Sequence, residues 1–185
     1  TAVKARLQSM GLCYDRKFDC APGELSHYMP KLTYRSPHSL ALEFVRHDSR
    51  VLDLGCAGGY MGAVLHDRKQ CSVTGVDAFP VETPGMEAFY LHDLNAGLPK
   101  LDFSQFDFVL MLDVVEHLTQ PERFLELMRR SLALNPNAEL ILSTGNVGYF
   151  ITRAMLLLGQ FNYGKRGILD LTHTRLFTFG SLRRA

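Results

Sequence analysis

Residues 51–62 read VLDLGCAGGYMG, an apolar run that carries one acid and breaks into glycines. This predicts a buried strand over 51–54, a tight turn, and a helix over 59–67 with Met61, Val64 and Leu65 on one face. Upstream, Ser36-Pro37 signals a helix start, with Leu40, Leu42, Phe44 and Val45 expected to face a core. Apolar runs at 72–76, 88–91 and 106–112 predict three further strands. The last is nearly continuous, as suits a parallel strand covered on both sides. Pro121 is placed to open a helix in which Phe124, Leu125, Met128 and Leu132 share a buried face. Asn135-Pro136 ends that helix, and 140–142 supply a fifth strand. A final apolar stretch over 147–158 is stopped by Gly159. The alternation predicts an α/β fold built on a doubly wound, mostly parallel sheet. Residues 1–35, with Tyr14, Tyr28 and Tyr34, are irregular and read as an N-terminal arm, 36–146 as the α/β core, and 147–185 as a helix and C-terminal segment.

Composition narrows the class. Apolar residues make up 46% of 185, enough for one domain with a real core. A net charge of +1 leaves no global basic footprint, so nucleic acid is not the expected partner. From residue 151 onward Arg153, Lys165, Arg166, Arg175, Arg183 and Arg184 face a single acid, Asp170. That bias reads first as a solvated basic surface and second as a preference for an anionic substrate. The four cysteines, Cys13, Cys20, Cys56 and Cys71, form no Cys-x-x-Cys pair, which fits a reducing cytoplasm. The 150–158 stretch is too short to cross a bilayer, so no membrane span is expected. The chain shows no signal peptide and begins at Thr1 rather than Met, so an excised or processed piece is expected.

Ligands of open α/β sheets bind at the carboxyl ends of the strands, and here every such end carries polar chemistry. Asp53 and the glycine turn follow the first strand, Asp77 the second, His92-Asp93-Leu94-Asn95 the third, and Asp113-Val114-Val115-Glu116-His117 the fourth. A carboxylate at Asp53 can hold a cationic or hydroxyl-rich ligand, one at Asp77 can accept both hydroxyls of a ribose, and one at Asp93 can receive an exocyclic amine. Each acid alone is an ordinary cap or turn residue; four in register point to a site. The dinucleotide fingerprint needs glycine at its first, third and sixth positions, but counting from Gly55 the third is Ala57 and the sixth is Tyr60, which disfavours a nicotinamide cofactor.

The set VLDLGCAGG, VTGVDAF, HDLN and FDFVLMLDVVEHL, with PERFLELMRRSL and LILSTGN after it, resembles the class I S-adenosylmethionine-dependent methyltransferases. It is most similar to the branch with Glu-His after strand four, as in the ubiquinone-pathway O-methyltransferases. The resemblance covers 36–146, and GILDLTHTRLFT resembles the segment downstream of that core in many bacterial members. It implies a Rossmann-like methyltransferase fold with S-adenosyl-L-methionine as cofactor. It places Asp53, Gly55 and Gly59 around the methionine moiety, Asp77 on the ribose and Asp93 near the adenine, and adds Cys56, Ala57, Ala78, Leu94 and Asp113 to the cofactor-binding set. Ala57 stands where the family more often has glycine. The class usually ends with two more strands, the last antiparallel, and this chain offers neither. A five-stranded parallel core is therefore expected, its fifth strand open or covered by the arm or by the second subunit of a homodimer.

The resemblance implies an enzyme that aligns an acceptor with a sulfonium methyl. An alcohol or phenol acceptor must lose a proton, and His117 and His173 are the candidate catalytic bases. The structural alternatives are a turn residue for His117 and a packed loop histidine beside Phe177 for His173. Asp113, Glu116, His117 and His173 are also expected to surround a divalent metal (Mg, Mn or Zn) or, failing that, the acceptor hydroxyl. An acid-x-x-Glu-His group with a later histidine is similar to the metal site of small-RNA 3′-terminal 2′-O-methyltransferases, with Asp113 one methylene shorter than the acid there. The expected acceptor is a small-molecule or glycan hydroxyl. The 147–158 helix is placed on the acceptor side or on a partner surface, with Tyr28 and Tyr34 as candidate covers of the site. A non-catalytic binding module and a nicotinamide-dependent oxidoreductase are the alternatives.

Overall fold

The computed structural model describes residues 31–80, 85–164 and 167–185. Most of the expected arm, with Tyr14, Tyr28, Cys13 and Cys20, lies outside the described residues, as do Lys165 and Arg166.

Helix α1 (Pro37–Phe44) opens on a capping box in which Ser36 and Ser39 each accept the other's backbone N–H, with Pro37 at the first helical position. Its buried face is His38, Ala41 and Val45, at helical spacing. Phe44 corrects an expectation: it is 62% exposed, because it lies a full 100° step around the helix from the buried Val45. Strand β1 (Arg50–Leu54) leads through the glycine turn into α2 (Tyr60–Lys69), then β2 (Ser72–Asp77) and β3 (Ala88–Leu91). Strand β4 (Phe108–Leu112) starts later than its apolar run, because Phe103–Gln105 forms a 3-10 turn capped by the Asp102 side chain. Helix α3 (Pro121–Leu132), β5 (Glu139–Ser143), α4 (Phe150–Leu157) and the short α5 (Phe179–Leu182) complete the order. Helix α4 begins three residues later than the 147–158 run predicts. Asn146 bridges Phe177 and Val147 N–H donates to Phe177 O, which holds the start of that run extended.

All strand pairs are parallel, in the order β3-β2-β1-β4-β5. The central strands β1, β2 and β4 are buried almost throughout, whereas β3 and β5 at the two edges are half exposed. Successive residues of one strand serve opposite faces. Val51, Phe108 and Leu110 pack with Ala41, Met61 and Leu65 under α1 and α2, while Leu52, Val109 and Met111 pack with Phe124 and Met128 under α3. The chain runs from β1 outward to β3, then returns to β4 on β1's other side. The order therefore reverses between β1 and β4, and a crevice opens at their carboxyl ends. Among the described residues no helix is long and apolar enough to cross a membrane.

Candidate active site

The β1–α2 turn is built on three left-handed residues, Gly55 (φ 76°), Ala57 (φ 47°) and Gly59 (φ 73°). At Gly55 a Cβ would lie 2.6 Å from a Val114 methyl, so the turn presses directly against the segment after β4 and only glycine fits. Alanine is strained in this region. At Ala57 the conformation is held by its N–H donating to Asp77 Oδ2 at 2.9 Å, while Phe79 N–H donates to Asp77 Oδ1 at 3.1 Å. Asp77 thus ties the ends of β1 and β2 together and keeps its carboxylate at the crevice.

The end of β4 is pinned in a different way. Asp113 has φ 55°, its N–H donates to Ser143 O and Oγ, and its Oδ1 accepts from Ser143 Oγ at 2.8 Å. Residues Val115–His117 then form a 3-10 turn. The backbone oxygen of Glu116 accepts from Thr174 N and Arg175 N, and His117 Nδ1 lies 3.1 Å from Thr172 O. A carbonyl only accepts, so Nδ1 of His117 carries a proton and donates it to Thr172 O. His173 is held likewise, Nδ1 being 2.9 Å from Ile168 O, and its ring meets the His117 ring edge-on at 4.8 Å.

These ends enclose a cavity of about 430 Å³, within the size range of small-ligand sites. Of the sequence-derived cofactor set, Asp53, Gly55, Cys56, Ala57, Asp77, Ala78, Asp93, Leu94 and Asp113 line it, and so does His117. Gly59 does not: it is buried behind the turn as the N-cap of α2, with φ 73°. Glu116 and His173 do not line it either. Glu116 turns inward, 2% exposed, with Oε1 accepting from Gly145 N–H and 4.0 Å from His173 Nε2, and burial pushes its carboxyl up. No α4 residue reaches the cavity, and Tyr34 stands 58% exposed away from it.

The cavity is acidic. Four aspartates line it, and no Lys or Arg does among the described residues. Asp53 is 3% exposed, its Oδ2 has no hydrogen-bond partner among the described residues, and burial together with the nearby Asp77 charge pushes its carboxyl up to about 7. Burial, with Asp53 and Asp77 adding to it, also raises the Cys56 thiol, which stays neutral. Sequence reasoning missed His38, Tyr60, Phe79 and Asn95 on the lining. Asn95 was legible as part of HDLN. It donates to Asp93 Oδ1 and accepts from Thr119, which closes the β3 end against the turn after His117. His38 gave no signal in the chain, because only the packing of α1 brings it to the crevice.

The four residues expected to hold a metal do not gather in one place. Among the described residues no three His, Cys, Asp or Glu side chains are gathered to hold an ion. Asp113 and His117 face the cavity while Glu116 and His173 lie beneath it, because the 3-10 turn sends adjacent side chains to opposite sides. So divided, these donors do not fit a mixed metal shell.

The geometry is that of a doubly wound α/β domain with its ligand site at the point where strand order reverses. A family model described as a methyltransferase domain matches residues 25–185, and the chain belongs to that family. Curated relatives include the ubiquinone biosynthesis O-methyltransferase of Maricaulis maris, 36% identical over 85 residues, covering 41% of this chain and 33% of that protein. That of Paracidovorax citrulli is 28% identical over 138 residues, covering 63% of this chain and 56% of that protein. The mitochondrial enzyme of Schizosaccharomyces pombe is 36% identical over 106 residues, covering 51% and 37%. The chain thus spans between 33% and 56% of the length of these relatives. Among solved structures, a methyltransferase in complex with the Haloferax volcanii Trm112 methyltransferase activator aligns with TM-score 0.57 at 19% identity, covering 79% of this chain and 63% of that one. YcgJ protein from Bacillus subtilis aligns with TM-score 0.53 at 18% identity, covering 80% and 64%. Both share the fold.

Proposed function

We propose that this chain forms the cofactor-binding core of an S-adenosyl-L-methionine-dependent methyltransferase that methylates a hydroxyl of a small molecule or glycan. The observation that carries it is the charge of the cavity. Four strand-end carboxylates, one with an orphaned oxygen and none facing a Lys or Arg among the described residues, call for a cationic ligand. S-adenosylmethionine brings a sulfonium and an ammonium, whereas the pyrophosphate of a nicotinamide cofactor would be repelled. Family membership supports methyl transfer, and the O-methyltransferase relatives support oxygen as the acceptor atom.

When bound, the cofactor would supply an electrophilic methyl group on a sulfonium whose sulfur is able to leave as a neutral thioether. The protein's part is alignment and proton transfer. Asp77 holds the ribose hydroxyls, Asp93 the adenine amine, and Asp53 the cationic end of the methionine. His117 takes the acceptor's proton at Nε2, its ring oriented by Thr172 O and by the edge of His173. His173 acts as a positioning residue, since it does not line the cavity.

Two measurements test this. Calorimetry is expected to show binding of S-adenosylhomocysteine and none of NAD; the reverse result would overturn the assignment. With phenol and sugar-alcohol acceptors screened by S-adenosylhomocysteine formation, His117→Ala is expected to lose roughly 10²–10⁴-fold in kcat while cofactor affinity is retained. Unchanged turnover would remove the base from His117.

A further inference from the structure

We propose that cofactor binding is coupled to release of a proton from Asp53, so that the chain binds its cofactor more tightly as pH rises through neutrality. The inference rests on the proposed function and concerns how that same site is regulated.

Asp53 sits at the floor of the cavity, 3% exposed, on a strand flanked by β2 and β4, and its Oδ2 has no partner. Among the described residues that line the cavity with it there is no Lys or Arg. From β2 comes Asp77, a second carboxylate, and from the glycine turn comes Cys56, a neutral thiol. From α1 comes His38, which burial, opposed by the Asp113 charge and aided by that of Lys31, pushes towards its neutral form. Asp113 and His117 line the cavity from the end of β4, and Asp93 from the end of β3. An ionised carboxylate so placed lacks both water and a counter-charge, and it relieves that cost by taking up a proton. The elevated value of about 7 for its carboxyl agrees with this geometry.

A ligand ammonium or sulfonium entering the cavity reverses the balance. It supplies the missing counter-charge, the carboxylate becomes the favoured form, and the proton leaves to the buffer. The exchange balances: a neutral carboxyl and a cationic ligand become an ion pair and one released proton. The free protein then binds with full affinity only in the fraction of molecules already ionised. With half-ionisation near pH 7 and a bound form that stays ionised, affinity falls about tenfold between pH 8 and pH 6, and about half a proton is released per ligand at pH 7.

The test is calorimetry of S-adenosylmethionine binding to the 185-residue chain at pH 6, 7 and 8, in buffers of different ionisation enthalpy. The expected result is a binding heat that tracks the buffer at pH 7 and a dissociation constant about ten times larger at pH 6 than at pH 8. In Asp53→Asn the affinity that remains should be flat over this range. Should that variant bind too weakly to measure, infrared difference spectra of the unaltered chain should show a protonated carboxyl band lost on adding S-adenosylmethionine. Binding with buffer-independent heat and flat affinity, linkage that persists in Asp53→Asn, or no carboxyl band lost would each overturn the inference and leave the proposed function standing. No binding at any of the three pH values would overturn the proposed function itself.

Discussion

The two halves of the sheet's carboxyl edge carry similar residues and use them differently. At the β1–β2 half, Asp53 and Asp77 both face the cavity, and Asp53 has no internal partner for Oδ2. At the β4–β5 half, the Asp113-to-His117 turn is largely occupied in holding the C-terminal segment: Glu116 O, His117 Nδ1 and Leu118 O all engage residues 172–175. The first half withholds hydrogen bonds from its deepest acid and so remains poised for a ligand. The second ties its backbone to residues 172–175 and holds one imidazole at a set angle, while Glu116, buried away from the cavity, also keeps one oxygen without a hydrogen bond among the described residues. Acids at neighbouring strand ends therefore differ in access to the cavity rather than in the number of their internal partners: Asp77 lines it with both oxygens engaged, and Glu116 is shut away from it with one oxygen orphaned among the described residues.

The largest expected effect separates the halves through stability. The Asp53 carboxyl is raised from 3.8 to about 7 in the folded chain, so the stability it contributes is complete below 3.8 and is lost as pH climbs through 7. The loss is on the order of 4 kcal/mol. Asp53→Asn removes the titration, so its melting temperature should match the parent near pH 4 and exceed it at pH 8. A gap that does not change with pH would remove the titrating carboxyl from the β1–β2 half.

Asp77→Ala is next. It removes the expected ribose acceptor and leaves the N–H groups of Ala57 and Phe79 without their partner. S-adenosylhomocysteine affinity should drop by about 1.5–3 kcal/mol, the range for hydrogen bonds to a charged group. Binding as tight as in the parent would show that Asp77 is only a brace, like its counterparts across the crevice.

The smallest effect probes the brace itself. Thr174 Oγ1 lies 2.6 Å from Leu118 O and 3.1 Å from Glu116 O, with one proton to donate between them. Thr174→Val should cost about 1 kcal/mol in urea unfolding and leave S-adenosylhomocysteine affinity unchanged. If affinity falls as far as in Asp77→Ala, the halves are coupled rather than distinct.

Much of this was legible in the chain, for reasons that can be stated residue by residue. Ser36-Pro37 and Pro121 marked helix starts because capping and the fixed proline φ act within a turn of the residue itself. The 106–112 run marked a central strand because only a position covered on both faces tolerates unbroken apolar sequence. Expectations failed where a side chain's direction depended on another element. Phe44 shares the apolar character of Val45 yet points to water, since α1 packs along His38, Ala41 and Val45. Gly59 belongs to the glycine turn but serves α2 rather than the cavity.

The chain alone determined the alternation of strands and helices, the parallel sheet and the row of acids at the strand ends, because periodicity and turn chemistry act over neighbouring residues. Only the tertiary structure decided how the row divides. Asp113 and His117 face the cavity and Glu116 turns away because residues 172–175 capture the backbone between them, more than fifty positions downstream. His38 enters the site because α1 folds across the sheet to reach the end of β4. The raised carboxyl of Asp53 belongs to the same category: a carboxylate on a strand is ordinary in sequence, and what pushes it up is burial, with the Asp77 charge beside it, once the sheet has closed around it.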